Sequence, residues 1–441
     1  KNEVMQINRY IAIIAILLVV FSCRKSDYII EGNGETITDD GNGTGTVTWT
    51  SDKEYLLEGF VFVNDGQTLT IEPGTVIRFK EGQAENASAL IVARGGKIIA
   101  EGTKDKPIIF TAEKDDFAGT VATDERGLWG GIIILGNAPI NLSSGEGSIE
   151  GIPYSEPRGI YGGTDAEDNS GILKYISIRH GGTNIGEGNE INGLTLGGVG
   201  SNTEIEYVEV IANEDDGVEI FGGNVNLEHM VVSDCGDDLF DYDLGWTGNG
   251  QFWLGVQRDT PGDHLLEAGG GTDPVYGEPY SLPNLLNLTL IGSGKTSSGH
   301  CINFENFAGG LIANSIFMNK DNGVTVEVTD QQHDCYTQWK NNKLTVSHNV
   351  FYEVAESSAE SILNLSGVYT SSMNNEFIAS FSTNGNEISN PNIDLESGSY
   401  VPTEKVKGEV LSKPSSWFQT VDFKGAFGED NWIQGWTLLA E

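Results

Sequence analysis

Basic side chains are scarce in this chain. Lys and Arg number 25 among 441 residues, against 64 Asp and Glu, for a formal net charge of −39. That balance excludes a nucleic-acid surface, whose phosphates need a basic face, and an electrostatic hold on anionic lipid. Cysteine is rare as well: 4 residues, Cys23, Cys235, Cys301 and Cys335, too few for a disulfide framework in a chain of this length. The last three read as small buried apolar residues, with Cys301–Cys335 the one bridge to consider. Beyond residue 49 a 3.6-residue apolar period is almost absent, which removes helical bundles. The longest hydrophobic run, residues 11–22 (IAIIAILLVVFS), falls short of the about 20 residues that span a bilayer. No phosphate loop, nucleophile elbow or dinucleotide fingerprint occurs. His180, His229, His264, His300, His333 and His348 show no metal-ligand spacing.

What is present begins with an address. Lys1 and Arg9 precede the apolar run, and Cys23 follows it directly, the layout of a secretory signal. The end of the run, Val20, Phe21, Ser22 and Cys23, resembles a bacterial lipobox, with Phe21 larger than usual there. The expectation is removal of residues 1–22 and acylation of Cys23, which would hold the protein to a membrane by lipid. Residues 23–50 are rich in Gly, Asp, Asn and Thr and read as a flexible tether.

From residue 51 onward, runs of four to seven β-prone residues alternate with Gly, Asn and Asp, as in 59–63, 67–71, 75–79, 89–93, 131–135, 173–178, 205–210 and 286–291. An internal repeat narrows the choice of architecture. DDGVE at 215–219 recurs as DDLFD at 237–241, each acid displaced by 22 residues, and GLTLGG at 193–198 aligns with GVEIFG at 217–222 at an offset of 24. That period, with three short strands per turn, predicts an all-β right-handed parallel β-helix of roughly 11–14 coils over residues 51–405. Equivalent residues then stack about 4.8 Å apart. Residues 406–441, with Trp417 and Trp436, are expected to cap the last coil, since an open solenoid end leaves sheet edges unpaired.

Several segments resemble a family of bacterial surface lipoproteins widespread in Bacteroidetes, read as pectin-lyase-like parallel β-helices. They are 66–77 (GQTLTIEPGTVI), 129–141 (WGGIIILGNAPIN), 169–178 (NSGILKYISI), 189–200 (NEINGLTLGGVG), 215–223 (DDGVEIFGG), 236–241 (GDDLFD) with 250–253 (GQFW), and 425–428 (GAFG) with Trp432 and Trp436. One departure is Arg179-His180-Gly181. The resemblance implies a place on the outer membrane, on the cell surface, and a link to TonB-dependent receptors through capture or uptake. It supplies no catalytic residues.

The repeat also marks the candidate site. Asp215, Asp216 and Glu219 should lie one coil from Asp237, Asp238 and Asp241, with Asp243 beside them. Carboxylates stacked at that spacing repel by several kcal/mol, on the order of Coulomb's law at intermediate dielectric. A Ca²⁺ ion, which takes 6–8 oxygens, relieves that; the competing role is turn capping by acceptance of backbone N–H bonds. Tyr242, Trp246 and Trp253 flank these acids and read either as a platform that stacks on sugar rings or, for half or more of such rings, as core. The long interruption at 259–283, holding Tyr276 and Tyr280, reads as a functional excursion. The expected function is non-catalytic binding of an extracellular glycan or similar ligand, as an accessory to an outer-membrane receptor. The competing class is a carbohydrate-active enzyme. An inverting hydrolase needs two carboxyl groups about 6.5–9.5 Å apart, and Asp238 with His300 loosely suits polygalacturonases, whose other elements are missing. A lyase needs a Lys or Arg base on the acidic face, and Lys174 and Arg179 show no matching spacing.

Overall fold

A computed structural model describes residues 34–440, apart from 84–85, 187–188, 259–261, 273, 295–298 and 412–413. The signal and Cys23 lie outside the described residues.

The chain winds into a parallel β-helix. The first complete coil runs through Val47–Trp49, Glu54–Leu57 and Phe60–Val63, and the tenth through Leu344–Ser347, Val350–Val354 and Leu363–Gly367. The part of each coil before its third strand joins one 19-stranded sheet, as two strands or, in the fourth to sixth coils, as one long bent strand (Gly171–Arg179, Glu204–Ile211, Asn226–Ser233), and the third strand joins a 10-stranded sheet. A partial turn sits at either end, Glu35–Ile37 above and Glu387–Ile388 below. Ten full coils fall below the expected number because long excursions, at 113–129, 137–163 and 329–343, take up residues between strands.

Alternation builds the core. On the third strands Val61, Leu90, Ile132, Leu194, Val218 and Phe240 form one inward column, and Val63, Val92, Ile134, Leu196, Ile220 and Tyr242 the next. All are at most 2% exposed. Filling each rung this way removes apolar surface from water at about 25 cal/mol per Å². The pairing Glu219↔Asp241 reproduces the 22-residue offset, and Leu194↔Val218 the 24-residue offset.

From the fourth coil on, the corner before the second half of each coil's path through the 19-stranded sheet is a left-handed residue. Tyr175, Tyr207, His229, Phe252, Asn287 and Asn314 all have φ between 50° and 61°. Asn adopts that conformation cheaply. The bulky residues are held there by one another: ring centroids stack at 4.5 Å for Tyr175–Tyr207, 4.3 Å for Tyr207–His229 and 5.0 Å for His229–Phe252.

Two boundaries differ from expectation. Residues 34–50 of the segment read as a tether belong to the fold. Glu35–Ile37 pairs with Tyr55–Leu57, and Val47–Trp49 pairs with Leu69–Ile71. Its Gly and Asp residues build a tight turn: Asp39 accepts from the N–H groups of Gly41 at 2.7 Å and Gly43 at 3.0 Å and pairs with Arg158 at 2.7 Å. Gly41, Gly43 and Gly45 take the positive φ the turn needs.

The C-terminal segment 406–440 does not cap the last coil. The helix Ser371–Thr383 does, with Phe377 against Trp339 and Phe381 against Phe351. The tail instead runs back along the left-handed corner. Gly425 donates to the Asn314 carbonyl at 2.8 Å, Asn287 to that of Phe423 at 2.7 Å, and Gln419 to Gln251 at 2.9 Å. Trp436 packs edge-on to Tyr175, and the N–H groups of Leu438 and Leu439 donate to buried Glu209 at 2.9 Å each. Side-chain amides and aromatic rings along that corner supply the tail's partners. Cys235, Cys301 and Cys335 are buried and free, so the Cys301–Cys335 bridge is absent.

Candidate functional site

The outward positions of the third strands change character along the axis. In the early coils they are Phe62, Ile91, Ile133 and Leu135, covered by Ile140, Ile149, Ile152 and Tyr161 of the excursion at 137–163. From the fourth coil the same column turns polar: Thr195, Glu219, Asp241, Glu267, Asn303, Thr325 and Asn364 stand in register. Two residues further along each strand lie Asp243, Glu305 and, one coil on, Glu327. Just before the strands a third row runs Asn192, Asp216, Asp238, His264 and His300, linked by backbone bonds between coils.

These rows bring the expected acids together. Carboxylate oxygens of Asp215, Asp216 and Asp237 lie within 4.8 Å of one another, as do those of Asp216, Glu219 and Asp241. A third group, within the same limit, joins Asp238 to Asp263 and His264. Asp243 faces outward on the strand of Asp241 but belongs to none of the three.

Turn capping accounts for part of the arrangement. Asp216 Oδ1 accepts from the N–H of Asp238 at 2.8 Å, and Asp238 Oδ1 from that of His264. His264 Nδ1 accepts from the N–H of His300 at 2.9 Å. The other ring nitrogen of His264 lies 3.4 Å from Glu267 and 3.7 Å from Asp263.

Capping leaves much of the charge unanswered. Among the described residues no Lys or Arg forms an ion pair with Asp215, Asp216, Glu219, Asp237, Asp238, Asp241 or Asp243. Arg126 pairs with Glu214 at 3.1 Å, and Arg258 with Asp234. Instead, carboxyl groups meet one another: Glu219 shares hydrogen bonds with Glu150 and Asp241, and Asp238 with Glu267. Burial, then the neighbouring carboxylates, pushes Asp215 up to about 8. The same two causes hold Asp216, Glu219, Asp238 and Asp241 well above the ordinary carboxylate range. Burial also raises Asp237 and Asp243. For Glu267 burial is outweighed by hydrogen bonds from His264 and Asn303, which leave it below its usual value. Buried oxygens without a hydrogen-bond partner include Asp241 Oδ1, Asp243 Oδ1 and Asn192 Oδ1. Crowding of this kind is relieved in general by protonation or by a cation.

The expected sugar platform is not there. Tyr242, Trp246 and Trp253 are at most 1% exposed and lie inside the solenoid. Tyr242 follows outward Asp241 by one position, so it points inward. Trp246 and Trp253 satisfy their ring N–H groups on the carbonyls of Val225 and Leu227, at 3.1 and 3.0 Å. The two basic residues considered as a lyase base are not on the acidic face. Lys174 and Arg179 stand on the other sheet, Lys174 paired with Glu206 and Arg179 buried against Ser177.

Other members of the site escaped the sequence reading. Asp263, His264 and Glu267 repeat Asp237, Asp238 and Asp241 at an offset of 26, a step lengthened by the insertion before them, so a fixed period of 22–24 missed them. Glu150 arrives from the excursion at 137–163, and Asn192 donates to both Glu150, at 3.0 Å, and Glu219; no repeat announces either.

Three comparisons bear on this architecture. No curated protein matches the chain. The crystal structure of the Dettilon tailspike protein is similar in part, at 11% identity with a TM-score of 0.32, over 76% of this chain and 68% of that one. Residues 41–437 match the model of the pectate-lyase-like β-helix domain. The match spans nearly the whole described solenoid and its tail, and the chain belongs to the pectate-lyase-like β-helix domain family.

Proposed function

We propose that the protein is a non-catalytic binder of an extracellular glycan, recognised along the outward acidic face with a divalent cation, Ca²⁺ in the first instance, held among its carboxylates. One observation carries the reading. Asp216, Glu219 and Asp241 bring carboxylate oxygens within 4.8 Å of one another with Asp238 one coil from Asp216, no Lys or Arg pairs with any of them among the described residues, and Asp241 Oδ1 is left unpartnered. A hard cation with 6–8 oxygen ligands takes several of those oxygens and keeps positions open for water or sugar hydroxyls. Carboxylates and the amides of Asn303 and Asn364 supply further partners for hydroxyl groups along the same column.

Membership of the β-helix family is consistent with glycan binding or glycan processing. We favour binding because the carboxyl groups bond to one another rather than standing apart across a cleft, and because Lys174 and Arg179 lie on the other sheet. The proposal includes acylation at Cys23, display on the outer membrane and an accessory role beside a TonB-dependent receptor. These rest on the sequence and on the family resemblance.

Titration calorimetry with Ca²⁺ after EDTA treatment tests the cation; absence of both heat and a rise in melting temperature removes it. Incubation with a polysaccharide panel tests the absence of catalysis. New reducing ends or unsaturated products that vanish in Asp238→Ala would make the protein an enzyme. External protease on intact cells should release the body, and Cys23→Ser should free it from the membrane fraction.

A further inference from the structure

Buried aromatic residues leave the acidic face without a stacking platform in its centre, yet four rings gather where it ends. Tyr276 and Tyr280 come from the excursion after the seventh coil, Phe307 from the turn after His300–Glu305, and His333 from the excursion before the tenth coil. Ring centroids lie 4.4 Å apart for Tyr276–His333, 5.1 Å for Tyr280–Phe307 and 6.0 Å for Phe307–His333. The group faces water: Tyr276 is 56% exposed and the His333 side chain 42%. Other exposed rings, such as Tyr154 and Tyr369, have no ring contact among the described residues.

The cluster is built, not incidental. Ser281 holds its loop by accepting from Gly309 at 2.9 Å and donating to the Gly270 carbonyl at 3.1 Å. Gln338 fixes the Phe307 carbonyl at 3.0 Å. Asn306 and Phe307 both take positive φ, 53° and 68°, a conformation that costs a bulky residue about 1 kcal/mol or more and that turns the Phe307 ring toward Tyr280. Beside the rings runs the end of the acidic row. The Asn306 N–H donates to Glu327 at 2.9 Å and its side-chain amide to Glu305 at 2.8 Å, while Asn303 bridges Glu305 and Glu267 at 3.4 and 3.1 Å.

We propose that Tyr276, Tyr280, Phe307 and His333 form a sugar-stacking subsite for an uncharged pyranose residue whose hydroxyl groups donate to Glu305 and Glu327. A pyranose has an apolar C–H face and a polar rim, which suits rings on one side and acceptors on the other. Glu305, Glu327 and Asp330, the last paired with His333 at 3.3 Å, repel a uronic acid or sulfated sugar. The inference rests on the glycan-binding reading and locates one end of that site.

Neutral, uronic-acid and amino-sugar oligosaccharides, each titrated separately into the full chain with Ca²⁺ present, test it, with Tyr276→Ala and Phe307→Ala compared with the unaltered protein. Expected are binding of a neutral oligosaccharide, a loss of about 5- to 10-fold in affinity for each variant, retention by Tyr276→Phe, and unchanged Ca²⁺ affinity and melting temperature for Tyr276→Ala. If the unaltered protein binds no oligosaccharide, the glycan reading itself fails. If it binds and Tyr276→Ala binds equally well, the subsite fails alone. Tighter binding of the acidic or amino sugars overturns the assignment of an uncharged ligand.

Discussion

Asp216 caps Asp238 across one coil: its Oδ1 receives the Asp238 backbone N–H at 2.8 Å. The same carboxyl lies within 4.8 Å of the acids of Asp215, Asp237, Glu219 and Asp241. One residue type at one repeat position thus serves the rung below it and crowds its neighbours with charge. The two roles expected for solenoid acids, structural cap and cation ligand, are compatible because a carboxylate has two oxygens.

That crowding sets the direction of the pH dependence. Asp215 rises from 3.8 to about 8 on folding, so the native state holds a proton that the unfolded state releases. Its stabilisation is complete below the unfolded value and is lost as pH rises through about 8. Metal-stripped protein should therefore melt about 5 °C or more higher at pH 6 than at pH 9. Saturating Ca²⁺ should flatten that slope, and calorimetry in two buffers of different ionisation enthalpy should show protons leaving as the ion enters. A slope unaffected by Ca²⁺ would count against the site.

Neutralising one acid should strengthen the fold and weaken the site. Asp241 has a buried oxygen with no partner and carboxylates on both sides. Asp241→Asn is expected to raise the melting temperature of metal-free protein at pH 8 by about 2–4 °C. Its Ca²⁺ affinity should fall at least about 10-fold. Thermal scans and titrations on the same preparation read both effects.

His229 pulls the other way. Burial lowers it to about 4, so its contribution is present above the unfolded value near 6.5 and is lost as pH falls toward 4. It sits in the aromatic stack between Tyr207 and Phe252, its Nδ1 without a hydrogen bond and 3.7 Å from Glu228. Phe252 shows that a phenyl ring is accepted at the equivalent left-handed corner, with φ 60°. His229→Phe should accordingly raise stability, more at pH 5 than at pH 7, as measured by denaturant melts at both pH values.

Glu209 is fully buried and accepts from Leu438 and Leu439 at 2.9 Å each and from Ser177. Glu209→Gln replaces one acceptor oxygen with a donor facing a donor, at a cost of about 1–3 kcal/mol. Limited proteolysis should cut the tail faster in the variant, and hydrogen exchange should rise first around Trp432 and Trp436.

How much of this was readable beforehand follows from what repeats. The pentads at 215–219 and 237–241 repeat without insertion, so strand type, register and the meeting of their acids were all legible. Asp263, His264 and Glu267 obey the same rule but arrive after an insertion, and the count slipped. Trp246 and Trp253 were read by type rather than by side of the strand; a ring beside an acid in sequence points away from it in a sheet. The Gly- and Asp-rich start failed for a different reason: one composition serves both a loose linker and a chain of tight turns, and it is the strand pairings of Glu35–Ile37 and Val47–Trp49 and the Asp39 turn that distinguish them. The tail could not be placed because its partners, from Glu209 to Asn314, are set by three-dimensional proximity alone.

The path of that tail changes how the molecule should come apart. In a solenoid each turn touches only the next, so melting can start at an end and travel one rung at a time. Here a single strand of protein is riveted across turns as distant as those of Tyr175 and Asn314, and those rungs cannot peel singly while it holds. Their unravelling is tied to one event, the release of the last thirty or so residues, which makes the C-terminus the fuse of the middle of the molecule rather than its frayed edge.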